Sequence, residues 1–192
     1  MIESIKYQLS HLADFGGRDA RQTFWYYVLF LIVLQFLISM IVAIPMYIEM
    51  FSGAMDAARS GVDTDTMEAN MMAGISGSLP QQVTIGAVIG LLIIGLFLAA
   101  FVRRLHDAGF SGWWAALPVA LQLGAIWASF EVLDIMSEAM RTMGDDPGAM
   151  QAMQSETIGY SLLGWIGYLV VIIFGVMKSD GPNRYGHEPV RF

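Results

Sequence analysis

Cysteine is absent from this 192-residue chain, which excludes disulfides, thiolate nucleophiles and cysteine-based metal sites together. Charge is scarce as well. Asp, Glu, Lys and Arg supply 14% of the residues against 56% hydrophobic ones, too few to solvate the surface of an ordinary soluble domain. In four stretches charge is missing altogether: residues 22–48, 69–102, 111–130 and 157–177 carry none. Each contains an apolar core near the roughly 20 residues a helix needs to cross a bilayer. The expected spans are residues 24–48, 83–102, 113–133 and 158–177. Pro118 and Gln122 interrupt the third, although neighbouring helices can satisfy a carbonyl freed by proline. A cleaved leader is not expected, because Glu3, Lys6 and Asp14 replace the basic end and apolar core of a signal peptide.

The few charges are unevenly placed. Eight of the ten cations fall in residues 1–23, 103–112 and 178–192, whereas segments 49–82 and 131–157 hold one Arg each against five and six acids. By the positive-inside rule the basic segments face the cytoplasm, so four spans leave both termini inside. The chain then reads as one membrane domain with outer segments 49–82 and 134–157, a cytoplasmic hinge at 103–112 and a cytoplasmic tail at 178–192.

Ile2, Ile5, Leu9 and Leu12 recur at helical spacing before Gly16-Gly17, which predicts a short interfacial helix. Arg18 and Arg21 then form a basic collar ahead of Phe24-Trp25-Tyr26-Tyr27, an aromatic belt that Trp113-Trp114 mirrors at the third span. Trp25, Trp113 and Trp114 are therefore the expected interface anchors. The outer segments contain ten of the fourteen methionines and continue the periodicity of the spans, predicting helical extracytoplasmic extensions. Asp65 with Glu68 resembles a capping box opening one of them, and Asp146-Pro147 the start of another short helix. Gly86 with Gly90, and Gly164 with Gly167, permit close helix contacts.

Several groups could carry chemistry. Arg103 and Arg104 could pair an anion through parallel hydrogen bonds or simply anchor topology; adjacent on a helix, one is expected to face protein and the other headgroups. His106-Asp107 could handle a proton, but sequence neighbours rarely face each other on a helix. Asp107 pairing with an arginine while Gly109 and Gly112 turn the chain is the plainer reading. Ser111 lacks a partnered base. His11, His106 and His187 are too scattered for metal-ligand spacing. Met136, Met140 and Met143 share a helical face that could suit Cu(I), although an apolar packing face is the plainer reading. The turn-rich tail around Gly181-Pro182 is expected to bring Arg184 and Tyr185 back to the hinge.

Phe15-Gly16-Gly17-Arg18, Arg21-Gln22-Thr23-Phe24-Trp25, the Arg103-to-Asp107 run followed by Ser111-Gly112-Trp113-Trp114, and Gly181-Pro182-Asn183-Arg184-Tyr185-Gly186 occur in order over nearly the whole chain. Together they resemble the bacterial inner-membrane family catalogued as domain of unknown function 805. The resemblance implies a small polytopic protein of the bacterial inner membrane, with no assigned reaction, substrate or cofactor. Phe110 and His187 stand where members often have a basic residue and a proline, and many members have shorter outer segments.

The resulting expectation is an all-α integral membrane protein, a four-transmembrane-helix bundle with no enzymatic activity and no cofactor. Its basic cytoplasmic face, from Arg18, Arg21, Arg103, Arg104, His106, Asp107, Asn183 and Arg184, would bind anionic lipid headgroups, a membrane protein partner or a second copy. No nucleic-acid signature is present. A small transporter or channel-like component is the alternative, for which Gln35 and Gln122 are the only polar mid-span candidates. A lipid-modifying enzyme using His106 and Asp107 is a further one.

Overall fold

A computed structural model describes residues 1–61, 63–142, 149–187 and 189. Among them every regular element is helical: α1 (Ile2–Ser10), α2 (Arg21–Ser60), α3 (Thr64–Asp107), a 3-10 turn (Gly112–Ala115), α4 (Ala116–Thr142) and α5 (Ala149–Val176). Four helices are long and apolar enough to cross a membrane, and the chain is a multi-pass membrane protein. The first two uncharged runs lie inside α2 and α3, and the cores of the other two inside α4 and α5, because a helix satisfies all its backbone groups within the segment and lipid supplies no alternative partner.

At 40 and 44 residues, α2 and α3 are about 60 and 66 Å long, twice the hydrocarbon thickness. Helix α2 runs through Pro45 and stops at Gly61, whose φ of +65° is open to glycine at no steric cost. Helix α3 opens two residues earlier than the capping-box reading placed it. Asp63 is the cap, its carboxylate accepting from the Thr66 amide at 2.8 Å, so Asp65 lies within the helix. Asp63 and Asp65 both precede plausible first turns, and local pattern alone does not choose between them. Pro118 falls at the third position of α4, where its missing N–H has no intrahelical partner to lose. The Asp146-Pro147 helix start, and Met140 and Met143 as parts of a methionine face, lie outside what the described side chains cover.

Helices α4 and α5 form the most extensive pairing, followed by α2 and α3, so the bundle is two hairpins joined through residues 108–115. Small residues set the first pairing: a Cβ on Gly164 would meet Ala125 at 3.6 Å, and one on Gly167 the Pro118 carbonyl at 3.6 Å. Of the other glycine pair, a Cβ on Gly90 would meet Ile126 at 3.2 Å, while one on Gly86 would meet nothing within 4 Å.

The buried apolar core lies at the basic end of the bundle. Phe24, Tyr27 and Leu31 of α2 meet Ala100, Phe101 and Leu105 of α3 and Ala115 of the 3-10 turn. Phe174 of α5 lies edge-on to Phe101 and Phe110. The Trp25 indole donates to the Gly175 carbonyl at 3.1 Å, and a Cβ at Gly175 would come within 2.7 Å of the same ring. Glycine is needed there for that approach. Away from this end the helices present Phe36, Ile41 and Trp165 outward, as a lipid-facing surface requires.

Candidate functional site

Three arginines and two aspartates are buried together where α1, the start of α2, the end of α3 and the tail converge. Arg18 is 6% exposed, Asp19 2%, Arg103 1%, and Arg104 and Asp107 0%. Buried charges persist only when paired and fully hydrogen-bonded, and each of these is.

Asp107 is the hub. One carboxylate oxygen accepts from Arg18 at 2.9 Å; the other accepts from Arg104 and from the Ser179 hydroxyl, the latter at 2.6 Å. Arg18 also donates to the Gly181 and Gly186 carbonyls at 2.8 and 3.0 Å, holding the tail. Arg104 donates to the Gly175 and Met177 carbonyls. Those carbonyls end α5 and have no intrahelical partner, so a cation there satisfies them and complements the negative end of the helix dipole.

Arg103 holds the N-terminal segment. Its Nε meets Asp19 at 3.0 Å, and the other nitrogens reach the His11 and Asp14 carbonyls and the Gln8 side chain. Gln8 donates in turn to Asp19 at 2.7 Å. Helix α1 therefore packs through Ser4 and Gln8, its buried residues, and leaves Ile2 and Leu9 exposed.

The expected outward-facing arginine of the Arg103-Arg104 pair is corrected by this arrangement. Both guanidinium groups turn inward, Arg103 toward the N-terminal segment and Arg104 toward α5, because each finds carbonyl acceptors there as well as a carboxylate. With Arg18 also enclosed, the three are not available as an open anion face. Arg21 and Arg184 are exposed. Trp113 and Trp114 are exposed at the start of the α4 span, while Trp25 packs against α5 as described.

His106 and Asp107 have separate partners. The imidazole stacks on Tyr185 at 3.8 Å between centroids and its Nδ1 lies 3.2 Å from the Gly17 carbonyl, and no hydrogen bond joins it to the Asp107 carboxylate. Among the described residues no three His, Asp or Glu side chains are grouped to hold a metal ion. Ser111 caps the 3-10 turn by accepting from the Trp113 amide.

The tail folds back onto the hinge, as its turn-rich sequence suggests. The Asp180 amide donates to the Asp107 carbonyl at 2.8 Å and the Asn183 side chain to the His106 carbonyl at 3.0 Å, while Asn183 and Gly186 bridge each other. Gly109 makes the hinge turn at φ +81°, but Gly112 serves packing: a Cβ there would come within 2.8 Å of Val102.

Gln8, Asp19 and Ser179 escaped the sequence reading. Gln8 and Ser4 do form a polar i, i+4 stripe beside the apolar positions of α1, a visible but easily solvated signal. Asp19 stands directly beside Arg18, yet its partner is 84 residues away.

The profile of the family described as protein of unknown function (DUF805) matches residues 12–187. The chain belongs to this family. The matched span takes in Arg18, Asp19, the Arg103–Asp107 run and Ser179, so the whole ion-pair network lies within the family domain, with Gln8 and His11 of the N-terminal dock outside it. No curated protein and no solved structure matches the chain.

Burial raises the Asp19 carboxyl above its ordinary value, outweighing Arg103 and Gln8, which pull it down. A raised folded-state value means that folding favours the protonated form, so this contribution is fully present below the unfolded value and is lost as pH rises through the folded one. Stability of the detergent-solubilised protein is therefore expected to fall more steeply with pH above 3.8 in the wild type than in Asp19→Asn, measured by thermal unfolding across a pH series.

Proposed function

We propose that this family protein is a non-enzymatic component of the bacterial inner membrane, with both termini cytoplasmic, whose basic end forms a preorganised platform on the leaflet and gathers anionic lipid headgroups around its rim. One observation carries the reading. The buried arginines are consumed in fastening α1, the hinge and the tail into one unit, which leaves Lys6, Arg21, Lys178 and Arg184 as exposed cations around that unit. Exposed Ile2, Leu9 and Phe15 beside them suit an amphipathic segment lying in the headgroup layer. The acidic ends of α2 and α3, with their length beyond a bilayer, fit extensions on the opposite side. The positive-inside distribution of charge supports the same orientation.

The platform is matched to headgroups rather than to a single bound anion, because its free cations are spread and its enclosed ones are already paired. Each exposed cation near an anionic leaflet contributes about 1 kcal/mol at low salt. Extraction in native lipid particles followed by lipid mass spectrometry should therefore show anionic lipid enriched over the bulk membrane. Arg21→Gln and Arg184→Gln should each lower that enrichment up to about fivefold at low salt, with less effect at high salt. Retention unchanged in the double variant would overturn the proposal.

A further inference from the structure

Within the membrane-spanning part a cavity of about 150 Å³ lies between all four long helices, close to the volume that takes one benzene ring. Its walls are apolar apart from Gln35 of α2, Gln122 of α4 and Tyr168 of α5. Gln35 lies about 20 Å along α2 from Arg21, well inside the hydrocarbon. Ile32 and Tyr168 line the cavity and are 59% and 49% exposed, so it is reached sideways from lipid.

The polar groups are incompletely used. Gln122 donates to the Tyr168 hydroxyl at 3.4 Å, a long contact. The Gln35 amide makes no hydrogen bond among the described residues. An amide in hydrocarbon without a partner is costly, and water is not at hand to relieve it. A saturated acyl chain filling the space would leave that cost in place. A charged molecule would meet no Asp, Glu, Lys, Arg or His among the lining residues and would bear its own desolvation.

We propose that this cavity binds the head of a neutral lipid alcohol. A hydroxyl both donates and accepts, so one group can give its hydrogen to the Gln35 carbonyl oxygen and accept from the Gln35 amide or the Tyr168 hydroxyl. The head and first carbons fill the ring-sized space, and the tail passes out over Ile32 into the bilayer. This site is separate from the basic end and does not depend on lipid gathering there.

The test uses the full chain in phosphatidylcholine nanodiscs and an oleyl alcohol analogue with a photoreactive diazirine beside its hydroxyl. Labelling should saturate, concentrate on peptides containing Gln35, Gln122 and Tyr168, and be displaced by oleyl alcohol but not by an alkane of equal length. Gln35→Leu should weaken it about five- to tenfold, the loss of a hydrogen bond. Val119→Phe, which fills the cavity while keeping every polar group, should also reduce it. Unsaturable labelling spread over all lipid-facing helices, equal displacement by alkane, or undiminished labelling in both variants would overturn the proposal.

Discussion

Asp107→Ala is expected to lower the free energy of unfolding by about 3–5 kcal/mol, the range found when one member of a buried ion pair is removed and the other is left uncompensated. Here two guanidinium groups lose their shared carboxylate, and the Ser179 hydroxyl loses its acceptor. The tail should be released as well, since Arg18 seats it by bonding the Gly181 and Gly186 carbonyls from a position fixed by Asp107. Denaturation in detergent should record the loss, and trypsin should cleave at Lys178 and Arg184 under conditions where the wild type resists. Adding Arg18→Met to Asp107→Ala should recover part of the stability, because it removes one unpaired buried charge. Full additivity of the two losses would show that the groups are not coupled.

Arg103→Met has the second largest expected effect, and a different one. The spans persist, while α1 detaches. Arg103 bonds Gln8, the His11 and Asp14 carbonyls and Asp19 at once, its loss leaves the Gln8–Asp19 hydrogen bond unsupported, and a nine-residue helix is too short to persist in isolation in water. Amide exchange over residues 2–10 should rise toward rates of an unfolded segment while that of residues 96–102 is unchanged. Arg103→Lys should not restore protection. A single ammonium with three donors does not reproduce the planar fork that serves four acceptors in different directions.

Much of the fold was open to sequence reading because lipid imposes a simple rule: a stretch without charge near 20 residues long must be a helix with its backbone satisfied internally. The return of the tail was also legible, from Gly181-Pro182 and Tyr185-Gly186 breaking any helix beside the last span. The sense of the arginines was not. Arg103 and Arg104 following an apolar run read as one residue facing protein and the other facing headgroups, since adjacent positions on a helix point in different directions. Their inward orientation depends on carbonyls at Gly175 and Met177 and on the turn at residues 11–14, acceptors that only the tertiary arrangement brings near. Asp19 was hidden for the same reason. Its neighbour Arg18 belongs to Asp107, and the carboxylate beside it crosses to a different arginine.

The α1 helix shows how a correct periodicity can still leave the contact face undecided. Ile2, Ile5 and Leu9 mark a genuine apolar stripe, yet the residues α1 buries in the protein are Ser4 and Gln8. In many soluble proteins the apolar stripe would face the core; here the polar stripe turns inward, where Gln8 bonds the buried Arg103 and Asp19.

The central claim is that the arginines of the most distinctive motifs form an enclosed ionic network and not an open anion site. Arginine modification by phenylglyoxal in native membranes, followed residue by residue by mass spectrometry, tests it directly. Arg18, Arg103 and Arg104 should remain unmodified after Arg21 and Arg184 have reacted, with or without anionic lipid present. Modification of Arg103 and Arg104 as rapid as that of Arg21, with protection on adding anionic lipid, would contradict the account.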